Sequence, residues 1–68
     1  MINEILAKLP TMTQERLERE VCSGYGFSHC YDYICGVLSA ARDFGAIDFD
    51  EYETLRDHYY AALRGDAE

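Results

Sequence analysis

Basic side chains are scarce in this 68-residue chain. Six Lys and Arg stand against 13 Asp and Glu, for a net charge of −7. A surface of that sign cannot displace counterions from DNA or RNA, which argues against direct nucleic-acid binding. It equally argues against an anionic membrane surface. Apolar runs are short, far below the about 20 residues that span a bilayer. Residues 1–9 carry Glu4 and Lys8 and reach Pro10 without the apolar stretch of a secretory leader. The expected compartment is therefore the cytoplasm. Three cysteines are an odd number, and a reducing compartment leaves them as free thiols. One Pro and five Gly are too little punctuation for many short strands, and favour long helices.

What is present is apolar and aromatic. Hydrophobic residues make up 49% of the chain, with six Tyr and three Phe, so a disordered polymer is excluded. The length allows one domain, residues 1–68, with a small core. Ile2, Ile5, Leu6 and Leu9 have helical spacing, with Asn3 as a cap and Pro10 as a stop. Thr11 and Gln14 fit a capping box for a second helix that ends at Gly24 and Gly26. Its apolar positions are Met12, Leu17, Val21 and Cys22. Ser28 is expected to cap a third helix over residues 29–44. There Cys30, Tyr33, Ile34, Val37, Leu38, Ala41 and Phe44 form a broad stripe, as in a central helix. Gly36 in its interior predicts close approach of another helix. Asp48 and Glu51 form an acidic capping box for the last helix, with Ile47 and Tyr52 as a hydrophobic staple and Gly65 as the stop. No strand is predicted. The expected fold is all-α, a bundle of three or four helices closing with an antiparallel helical hairpin.

Several chemical readings fail on residue type or spacing. The stretch "GAIDFDEY", residues 45–52, resembles the exit half of an EF-hand, with Glu51 in the twelfth position. That register puts Ala40, Arg42 and Phe44 where oxygen ligands belong, so no calcium site follows. A DNA-reading helix beginning at Asp48 would turn four carboxylates toward phosphates. Cys22, Cys30 and Cys35 lack the close pairing of zinc ligands, and Cys30 and Cys35 diverge by about 140° on a helix. Cys30 and Cys35 read as core residues. "CSGYGFSHC", residues 22–30, has glycines but no phosphate-binding lysine, and reads as a joint in which Tyr25 and Phe27 cover the gap between two helices. No nucleophile motif or paired-acid motif is present, so no enzyme, metal or cofactor is expected.

The acidic residues are unevenly placed. Residues 37–68 hold eight acids and three bases, against five and three in residues 1–36. Asp48, Asp50, Glu51, Glu53 and Asp57 concentrate at the last helix. Such a row can be simple capping and a solvated face, or a carboxylate array that engages Lys and Arg on a basic protein surface. Six tyrosines exceed what a core of this size needs, and adjacent Tyr59 and Tyr60 cannot both point inward. The expected partner-binding residues are Asp48, Asp50, Glu51, Glu53, Asp57 and Tyr60.

The chain is short, acidic and tyrosine-rich, lacks an enzyme motif, and carries the hairpin "ARDFGAIDFDEYETLRDHYYAAL". In these respects it resembles small phage and mobile-element proteins of the anti-CRISPR inhibitor type. The resemblance is one of type over the whole chain. It implies a non-enzymatic inhibitor that binds a Cas effector complex at its nucleic-acid-binding surface. The alternative is an adaptor or structural subunit that forms a homodimer through its apolar excess.

Overall fold

The computed structural model describes residues 2–65. They form four helices and no strand: α1 (Ile2–Leu6), α2 (Thr11–Val21), α3 (Phe27–Asp43) and α4 (Phe49–Arg64). The fold is an all-α bundle. No helix among the described residues is long and apolar enough to cross a membrane.

α1 is shorter than the periodicity predicts. Its end tightens into turns in which Lys8 N donates to Ile5 O and Leu9 N to Leu6 O, both at 3.0 Å. Asn3 lies inside the helix, and its carbonyl accepts from Ala7 N. Pro10, expected only to stop α1, is the N-cap of α2. The Thr11–Gln14 capping box does not form. Pro10 O takes the Gln14 backbone N–H at 3.1 Å, which places Thr11 within the first turn. The Gln14 side chain instead donates to Leu9 O at 2.9 Å.

The joint between α2 and α3 is built on Gly24 (φ +78°) and Gly26 (φ +107°), a region closed to most side chains. Gly26, not Ser28, is the N-cap of α3, because Gly26 O already closes the first turn with Cys30 N at 3.1 Å. Cys30 is buried and unpaired. The Ser23 hydroxyl donates to Glu20 O at 2.8 Å, so at the 3.3 Å contact the Cys30 thiol is the donor. Tyr25, expected to cover the joint, is exposed, and Phe27 is half-buried with its ring against Tyr31 and Tyr60.

The α3–α4 connection satisfies both helix ends. Ala46 N bonds Ala41 O and Gly45 N bonds Arg42 O, the paired bonds of a Schellman motif with Gly45 at φ +83°. Two residues later Asp48 Oδ1 accepts from Glu51 N at 2.8 Å, and Glu51 Oε1 accepts from Asp48 N at 2.9 Å. Ring contacts fix the direction of the hairpin. Phe27 at the start of α3 meets Tyr60 near the end of α4, while Arg42 at the end of α3 lies over Phe49 and Tyr52 at the start of α4. The two helices are antiparallel.

The core draws on all four helices. Leu17, Ile34, Leu38 and Leu55 are fully enclosed, and Ile5, Leu9, Ile47 and Tyr59 surround them. Ile47 and Tyr52 both pack into this cluster, as the staple requires. The α3 stripe is narrower than predicted, because Tyr33 and Phe44 face solvent. Gly36 does not mark a close approach: a β-carbon there would meet nothing within 4 Å.

Candidate functional site

On a helix that turns about 100° per residue, Asp50, Glu53 and Asp57 fall within about 60° of one another. Leu55 and Tyr59 point the opposite way into the core. The three carboxylates thus form one stripe on the outer face of α4. Glu53 and Asp57 flank Arg56, whose guanidinium lies 3.8 Å and 3.6 Å from them. These exposed pairs hold side-chain geometry and contribute little stability.

The other two predicted acids serve the fold. Asp48 is committed to the cap. Glu51 completes the capping box and also accepts from Lys8 Nζ, tying the α1–α2 connection to the start of α4. The Lys8 hydrogen bond, followed by that from the Asp48 N–H, pulls the Glu51 carboxyl below its ordinary value. The same bond raises Lys8. The stripe therefore consists of Asp50, Glu53 and Asp57, with Asp48 and Glu51 as its support.

Tyr60 borders the stripe and is 41% exposed. Its ring sits edge-on to Phe27 at 5.3 Å and to Tyr31 at 5.5 Å, and these two stack on each other. The Arg64 guanidinium lies over Tyr60 at 5.6 Å and over Phe27 at 5.9 Å. The Arg64 guanidinium also donates to the Tyr60 hydroxyl at 3.5 Å, so Tyr60 is held in one orientation while still partly exposed, which lowers the ordering cost of a contact. Burial, with help from the Cys35 thiol, pushes the Tyr31 hydroxyl above the ordinary tyrosine value.

Sequence reasoning missed this ladder of rings and cations. Arg42 lies over Phe49 and Tyr52, Arg56 over Tyr52, and Arg64 over Phe27 and Tyr60. The i,i+4 spacings 27/31, 52/56 and 60/64 carried the signal. The predicted exposure of charge hid it, since Arg42 and Arg64 reach across the α3–α4 seam to rings on the other helix.

The thiols do not form a common site. Cys22 is exposed, Cys30 buried and Cys35 half-buried. Cys22 and His58 line one open groove with Glu18, yet no group of three His, Cys, Asp or Glu among the described residues converges to hold a metal ion. A second groove, of about 550 Å³, runs between α2 and the end of α3. Comparison with protein-family models, curated proteins and solved structures found no match.

Proposed function

We propose that this chain is a non-enzymatic protein-binding inhibitor that lays the outer face of α4 on a basic, nucleic-acid-binding groove of another protein. The observation that supports this is the alignment of Asp50, Glu53 and Asp57 on the solvent side of a doubly capped helix. The row is rigid because Asp48 and Glu51 fix its start. It is bordered by an aromatic anchor, Tyr60, of the residue type that contributes most at interfaces. A fixed row of carboxylates imitates a phosphate row and speeds encounter with a basic surface. The resemblance to anti-CRISPR inhibitors makes a Cas effector complex in the host cytoplasm the partner class of this reading. The chain needs no cofactor, and nucleic acid is its competitor for the groove.

Affinity capture from the native host, read by mass spectrometry, identifies the partner. The joint substitution Asp50→Lys, Glu53→Lys and Asp57→Lys is expected to slow association at least about tenfold, while wild-type association slows as salt rises. Unchanged kinetics with the helical circular dichroism intact would overturn the mimicry.

A second reading, self-association, is favoured by a different observation: Phe44 is 89% exposed and Met12 68% exposed on one side of the molecule.

A further inference from the structure

The groove between α2 and α3 has a floor of small or short apolar side chains: Val37, Ala40, Ala41 and Ala46. Its rim carries two large apolar ones, Met12 and Phe44. Tyr33, Val37, Ala40 and Phe44 recur at helical spacing, so the face continues along α3. Neither rim residue is held by its own fold, since both project into solvent. A projecting ring beside a floor of small residues is what an isologous two-fold interface requires, because each copy offers both the knob and the hole.

Charge points to the same occupant. Arg16 is the one charged residue lining the groove, and it makes no ion pair among the described residues. Asp43 immediately precedes the Phe44 knob. Its carboxylate is 69% exposed and has only a loose 3.8 Å contact to Arg42. When Phe44 of one copy enters the groove of another, Asp43 travels with it toward Arg16. The α4 stripe lies on a different helix that does not line this groove, so two chains of net charge −7 meet at a groove lined by no carboxylate.

Area is sufficient for a weak dimer. Large side chains present on the order of 200 Å² each, so Phe44, Met12 and Tyr33, at 89%, 68% and 39% exposure, together expose on the order of 400 Å². With the floor, two copies bury about 1,000 Å², the lower bound of a specific interface.

We propose that the α2–α3 groove is a two-fold dimer interface in which Phe44 of each chain fills the partner's groove and Asp43 meets the partner's Arg16. This rests on the self-association reading and names its surface. Sedimentation velocity across concentrations that bracket a Kd of about 1–100 µM tests it. Wild type is expected to shift from monomer to dimer. Phe44→Gln and Met12→Gln, both at exposed positions, are expected to weaken dimerisation at least about tenfold with unchanged circular dichroism. Arg16→Asp and Asp43→Arg are each expected to weaken it, and the two together to restore it. A chain monomeric throughout overturns both the interface and the self-association reading. A dimer indifferent to Phe44→Gln and Met12→Gln, or a charge swap without rescue, overturns this interface alone.

Discussion

Gly36 is the residue whose role changed most. Its place inside a helix costs about 1 kcal/mol relative to Ala, a cost that sequence alone assigns to close packing. The space above it is open, so the cost has no structural return. Gly36→Ala is expected to raise stability by about 1 kcal/mol in denaturant melts at low protein concentration. Asp48 is the converse case. Its cap was legible in the sequence because Asp and Glu three apart before an apolar run have few other uses. Asp48→Ala is expected to lower stability by about 1 kcal/mol in the same assay. Ser28 and Thr11 look like caps by the same rule, yet neither is one. A preceding glycine or proline carbonyl had already closed each first turn, a choice that depends on backbone path rather than side-chain type.

Among the elements, the α3–α4 hairpin is the most fully specified. The Schellman turn at Gly45 and the capping box at Asp48 follow each other within a few residues, and each is encoded locally. Gly45→Ala is expected to cost about 1–2 kcal/mol, because φ +83° brings a β-carbon against the backbone. The tie between Lys8 and Glu51 is of another kind, joining residues 43 positions apart. Glu51 has a lowered value when folded. Its contribution is present above the ordinary carboxylate range and is lost as pH falls through the lowered value. Lys8 is raised, so its contribution is present below the ordinary lysine value and is lost as pH rises through the raised one. Glu51→Gln keeps the capping box and removes the charge. Its deficit in urea midpoint against wild type is expected to be present at neutral pH and to shrink as pH falls into the acid range. Tyr59 adds an alkaline limit. Burial, reinforced by Glu18, raises its hydroxyl, so stability is complete below the ordinary tyrosine value and falls as pH climbs through the raised one.

At the scale of the whole molecule, the core is small and every large member matters. The radius of gyration is 11.1 Å, close to the about 10.9 Å of a compact chain of this length. A domain of this size holds about 3–10 kcal/mol of net stability. Leu38→Ala or Leu55→Ala removes about 2–5 kcal/mol, because both side chains are fully enclosed and truncation leaves a cavity. Either variant is expected to lose much of its cooperative thermal transition. Charge is the other global quantity. The chain divides its surface between an acidic stripe on α4 and an apolar, nearly uncharged face on α2 and α3. The two proposed contacts therefore use different surfaces, and the α4 charge reversal, which also reduces the repulsion between chains, is expected not to weaken dimerisation.

The sequence by itself determined the helical class and the α3–α4 joint with its two glycine- and aspartate-based signals. Those features rest on backbone sterics and on hydrogen bonds between residues a few positions apart. Tertiary structure alone decided which of the acids face outward together and which serve the fold. It also decided that Arg42, Arg56 and Arg64 lie over aromatic rings and that Met12 and Phe44 are left on the surface. An apolar residue at helical spacing reads the same whether a neighbouring helix covers it or not. Only the packing of four short helices around one small core determines which side of α3 is left uncovered.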